Sequence, residues 1–66
     1  MKPSDRLRQQ YKNYKTIELN NYMEQEDIQT LKGFYDSMRL FCLECNLLSF
    51  NEIELMEFEV DNEISV

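Results

Sequence analysis

Histidine and tryptophan are absent from these 66 residues, and the chain holds one glycine, one proline and two cysteines. Without histidine it lacks the side chain that most readily moves protons near neutral pH and most often ligates transition metals. A single glycine and a single proline are too few for the tight turns of an all-β domain, which need positive or fixed φ at many positions. Two cysteines neither staple a small secreted scaffold nor complete a four-ligand zinc site. No apolar run approaches the roughly 20 residues that cross a bilayer, and no leading stretch has the form of a signal peptide. The expected compartment is therefore the cytoplasm, with no membrane span. Glycine-rich phosphate loops and catalytic triads are missing too, so the chain reads as non-enzymatic, with no cofactor and no bound metal.

What the chain does have is grease. Apolar residues make up 42% of it, including four Phe, four Tyr and four Met. That is too rich for a disordered tail. A domain of this length buries only about 60% of its unfolded surface. It rarely gains more than about 3–5 kcal/mol from its own core. One domain without a linker is expected, with a core that is dense or shared with a second chain.

The net charge of −6 is unevenly laid. Lys2, Arg6, Arg8, Lys12 and Lys15 face Asp5 alone in the first fifteen residues, whereas the segment from Ser49 onward holds six acids and no base. A positive head and a negative tail suit self-association or an acidic surface offered to a basic partner. Direct nucleic-acid binding is disfavoured, because most of the surface would repel phosphates.

Three segments carry helical patterns. Pro3, Ser4 and Asp5 read as a helix start, and Leu7, Tyr11, Tyr14 and Ile17 continue it to about Glu18, with Ser4 as the cap. Asn20 and Asn21 signal a turn, with Tyr22 and Met23 as anchors of the joint. Ile28, Leu31, Tyr35, Met38, Cys42 and Cys45 then fall on an unbroken three-four spacing, predicting a long second helix from about Gln25 to Cys45, with Asn46 as terminator. From Met38 to Leu48 this segment is apolar nearly all round. Its second half is expected at the centre of the fold or of an interface, with Leu40, Leu43 and Leu47 needing a cover beyond the main seam.

The third segment has two readings. Ser49 and Glu52 have the spacing of a capping box, which predicts a helix from Phe50 to about Glu59. Glu52-Ile53-Glu54-Leu55 and Glu57-Phe58-Glu59-Val60 alternate as a half-buried strand would, leaving an α+β fold with a strand at 52–60 as the alternative. The expected fold is all-α, a small helical hairpin or three-helix bundle over residues 1–60. It is expected to be dimeric through the second helix, with 61–66 as a frayed acidic tail.

Cys42-Leu43-Glu44-Cys45 matches the CxxC pattern, but it sits near a helix C-terminus, where the dipole disfavours thiolate, and a structural role is expected. Thr16-Ile17-Glu18 followed by Leu31-Lys32-Gly33-Phe34-Tyr35 resembles the order of short motifs in the Hha/YmoA family of small helical nucleoid modulators. The likeness is confined to scattered positions and ends at Arg39. It implies binding to a nucleoid protein without catalysis.

The functional expectation is a small regulator or inhibitor acting through protein–protein contact, of a kind found in bacteria, phages and mobile elements. Expected partner-binding residues are Tyr11 and Tyr14 on the thin first helix and Leu40, Leu43 and Leu47 on the second. In the last segment they are Glu52, Glu54, Leu55, Glu57, Phe58 and Glu59, where charge and apolar surface alternate. The acids would select a basic target such as a DNA-binding factor. A self-associating assembly subunit and a nucleic-acid binder using the basic first helix are the alternatives.

Overall fold

A computed structural model of the chain describes residues 2–20 and 24–64. Three α-helices form: α1 over Pro3–Asn20, α2 over Gln25–Glu44 and α3 over Phe50–Ile64. Among the described residues there is no strand, so the alternating segment is helical and the α+β alternative falls. Asn21, Tyr22 and Met23, the expected joint, lie outside the described residues.

Local chemistry sets the helix ends. Pro3 occupies the first turn of α1, where its missing N–H costs nothing. The Lys2 carbonyl accepts bonds from the Asp5 and Arg6 amides, which places Ser4 inside the helix rather than at its cap. α2 ends in a Schellman motif. Asn46 takes a left-handed φ of 57°, while the Leu47 amide donates to the Cys42 carbonyl and the Asn46 amide to Leu43. At the start of α3, the Glu52 amide donates to Ser49 Oγ and the Ser49 amide to Glu52 Oε1, each at 3.2 Å. This is the reciprocal capping box. Replacing Ser49 with Ala should cost about 1 kcal/mol in urea unfolding, the usual worth of a cap.

α1 packs along both α2 and α3, which approach each other less closely. α2 runs antiparallel to α1, since Pro3 and Arg6 meet Cys42 and Leu47 at one end and Tyr14 stacks on Tyr35 further along. α3 returns parallel to α1, with Arg8 reaching Glu59 and Lys12 reaching Glu63. The core joins Leu7, Tyr11, Tyr14, Ile28, Tyr35, Ile53 and Val60. On α3, Ile53 and Val60 face inward with Met56 beside them, so Leu55 and Phe58 are turned out.

Two expectations about extent change. The acidic stretch after Glu59 is not frayed through Ile64: Tyr11 Oη donates to Asp61 at 2.9 Å, and Arg8 pairs with Glu63 at 2.6 Å. The second half of α2 is not the centre of the protomer, because Leu40 and Phe41 stand exposed. α1 takes the central place, packing against both α2 and α3. Cys42 is buried, but Cys45, at the helix cap, is exposed and leaves the seam.

Candidate docking surfaces

The aromatic residues are placed against their usual preference. Tyr11, Tyr14 and Tyr35 are 7%, 6% and 2% exposed, whereas Phe34, Phe41, Phe50 and Phe58 are 59%, 59%, 55% and 64% exposed. A phenylalanine has no polar atom to gain from water, so four exposed rings are costly unless something covers them.

Tyr11, Tyr14 and Tyr35 form one cluster. The Tyr11 ring lies 4.9 Å from Tyr35, and Tyr14 lies 6.3 Å from Tyr11 and 6.5 Å from Tyr35, centroid to centroid. Tyr35 Oη donates to Glu57 at 2.6 Å, and Arg39 Nε reaches the same carboxylate at 3.3 Å. Burial, reinforced by the bond to Glu57, pushes the Tyr35 phenol well up. Burial and the bond to Asp61 do the same for Tyr11. Tyr14 is pushed up to about 12 by burial and then by its bond to Glu18. These hydroxyls are held protonated, which suits anchoring and not nucleophilic attack. Tyr11 and Tyr14, expected to meet a partner, are thus core residues. The stripe on α1 looked too thin to bury, but Tyr35 and α3 cover it from two sides.

The other expected site residues divide by surface. Leu55 and Phe58, one turn apart, form an exposed ridge on the outer side of α3. Exposed Glu52, Glu54 and Glu59 surround it. Two of these acids are also tied inward. Glu59 pairs with Arg8 at 3.3 Å and Glu54 with Arg39 at 3.8 Å, while Glu57 is half-buried in its bonds to Tyr35 and Arg39. Part of the acidic row therefore clamps α3 to its neighbours. The hydrogen bond to Glu59 also raises the Arg8 pKa, keeping that cation charged. Glu54 and Glu59 still expose about half of their side chains, 55% and 49%.

A second surface lies on α2. Leu40 and Leu47 are exposed, and Leu43 is half-buried against the core. Phe34, Met38, Phe41 and Leu47 wall an apolar cleft of about 330 Å³ closed on the α1 side by Pro3 and Arg6. Phe34 and Phe41 carry more of this surface than the leucines singled out from the sequence. Their signal is that each directly precedes a seam residue, Tyr35 or Cys42, and so points about 100° away from the core. Phe50 lies under Arg39, with the guanidinium carbon 5.4 Å from the ring centroid.

Among the described residues no group of three or more Cys, Asp or Glu gathers in a metal-binding arrangement, and no helix is long and apolar enough to cross a membrane. The fold and its exposed rings define a small three-helix bundle with uncovered apolar faces. No family model, curated protein or solved structure matches the chain.

Proposed function

We propose that this protein is a small non-enzymatic regulator that inhibits or redirects another protein by docking on it, with a basic factor such as a DNA-binding protein as target. The observation that carries this reading is the aromatic inversion among the described residues, with Tyr11, Tyr14 and Tyr35 inside and the four phenylalanines outside. On α3 the ridge of Leu55 and Phe58 supplies apolar contact. Glu52, Glu54 and Glu59 around it supply selectivity for lysine and arginine. Arg8 and Arg39 hold two of those carboxylates in place, so little side-chain freedom is lost on docking. Binding there would occlude the basic surface with which such a target grips phosphate.

The same ion pairs weigh against a nucleic-acid role for α1. Arg8 and Lys12 are engaged by Glu59 and Glu63, and Lys15 by Glu18 at 3.7 Å. Phosphates would have to compete with these carboxylates for three of the cations on that helix.

The test compares the wild-type chain with a Leu55→Ser/Phe58→Ser variant, each immobilised and exposed to extract of the source cells. A basic protein is expected on the wild type and absent from the variant, and adding the free wild-type chain should release that protein from DNA. Identical retention by both chains, or retained protein that keeps its DNA, overturns the reading.

A further inference from the structure

We infer that the groove between α1 and α2 binds a single-chain fatty carboxylate of about ten carbons, with its apolar tail in the cleft and its head on Arg6. This site is separate from the ridge on α3, and it does not rest on the docking proposed for that ridge.

The groove has two compartments of opposite character. The first is the apolar cleft of about 330 Å³, in which Ser37 supplies the only hydroxyl and Arg6 the only charge. The second, of about 440 Å³, is lined from α1 by Arg6, Gln9, Gln10 and Asn13. Arg6, Phe34 and Met38 line both, so the two are continuous. Helical spacing produces this layout. Pro3, Arg6, Gln10 and Asn13 follow one stripe of α1, and Phe34, Ser37, Met38 and Phe41 follow one stripe of α2. The antiparallel pairing of the helices then sets the apolar end beside Pro3 and the amide end beside Asn13, with Arg6 between them.

Charge defines the head of the ligand. No carboxylate lines either compartment, although the chain carries 13 acidic residues and a net charge of −6. Arg8, Lys12, Lys15 and Arg39 are each paired with a carboxylate, whereas Arg6 pairs with none among the described residues. Its guanidinium stands at the junction of the apolar and amide compartments. A carboxylate on an apolar body matches that junction, because the planar donor fork of arginine fits both carboxylate oxygens. The side-chain amides beyond it can donate to the same oxygens.

Dimensions define the tail. The rise along α1 from Pro3 to Asn13 is about 15 Å, the length of a ten-carbon chain with its head group. The apolar volume stands at the lower end of small-ligand pockets, which run from about 300 to 1,000 Å³. A protein partner engages about 20–30 residues on each side, more than both compartments provide. A tail in the cleft would also cover Phe34 and Phe41, which are otherwise each 59% exposed.

Isothermal titration calorimetry of the full chain with sodium decanoate, kept below its micelle concentration, tests this. One decanoate per chain is expected, with a dissociation constant below ~1 mM, and the Met38 methyl NMR signal should shift along the same saturation curve. Arg6→Gln should weaken binding about tenfold, since a hydrogen bond to a charged group is lost. Helical circular dichroism should be unchanged in that variant, because Arg6 is exposed. Decanol keeps the chain and lacks the charge, so it should bind the wild type and Arg6→Gln alike, about tenfold more weakly than decanoate binds the wild type. The Leu55→Ser/Phe58→Ser variant should bind decanoate as the wild type does, which separates this site from the ridge on α3. No saturation by ~1 mM, a Met38 methyl that does not move, or equal affinity for decanoate and decanol overturns the proposal. Decanoate binding that is indifferent to Arg6→Gln, or that disappears with Leu55 and Phe58, overturns it as well.

Discussion

Raising the pH above 10 is expected to unfold this protein cooperatively, within about one pH unit, as its buried tyrosines ionise. Tyr11, Tyr14 and Tyr35 all have phenol pKa values raised from the ordinary 10.0. Below pH 10 the phenols are neutral in both the folded and the unfolded chain, and their protection contributes in full. Above it the unfolded chain releases protons that the folded chain retains, so stability falls as pH rises. The slope is about 1.4 kcal/mol per pH unit for each tyrosine, and about 4 kcal/mol per unit for three. A bundle of this size rarely holds more than about 3–5 kcal/mol in total, so it should give way before Tyr14 reaches its folded value of about 12. Arg39, which lowers the Tyr35 pKa slightly, does not offset burial and Glu57. Lys15, whose Nζ sits 5.8 Å and 5.4 Å from the Tyr11 and Tyr14 ring centroids, loses these contacts when the cluster opens. Far-UV circular dichroism and tyrosinate absorbance, recorded together, should change with one midpoint. Tyrosines that titrate near 10 while the helices persist would refute the burial of the cluster.

The cluster was only half legible in the sequence. The three-four spacing located α2 and placed Tyr35 on its inner seam, and the spacing of Leu7, Tyr11 and Tyr14 located α1. Periodicity identifies which residues share a face but not what covers the face. Tyr11 and Tyr14 therefore looked like spare surface, although Tyr35 from α2 and Asp61 from α3 enclose them. The same blindness acted in reverse on the second half of α2. An all-round apolar segment implies several covers, and the described chain supplies only the inner one. Short-range chemistry carried further. Ser49 with Glu52, and Asn46 as terminator, both depend on neighbours within a turn or two. The pairing of Arg8 with Glu59 and Glu63 depends on residues about fifty positions apart. In the sequence it showed only as a basic head and an acidic tail.

Truncating Tyr35 should abolish folding, whereas truncating its neighbour Phe34 should leave stability almost untouched. In Tyr35→Ala the ring contacts with Tyr11 and Tyr14 disappear, a cavity opens where the helices meet, and Glu57 loses its shortest hydrogen bond. Removing a buried aromatic ring costs about 3–5 kcal/mol, which is the whole stability expected of a domain this small. The variant should lack helical circular dichroism without denaturant. Tyr35→Phe keeps the ring and removes only the hydroxyl, so a loss of about 1–2 kcal/mol is expected and the fold should survive. Phe34→Ala and Phe41→Ala remove rings that are mostly exposed, and their urea midpoints at dilute concentration should stay within about 0.5 kcal/mol of wild type. The contrast between adjacent aromatic residues separates stability from binding. If Phe34→Ala proves as damaging as Tyr35→Ala, the exposed rings belong to the core and the docking surface on α2 does not exist. If only Tyr35 matters to folding, the phenylalanines are free to serve a partner.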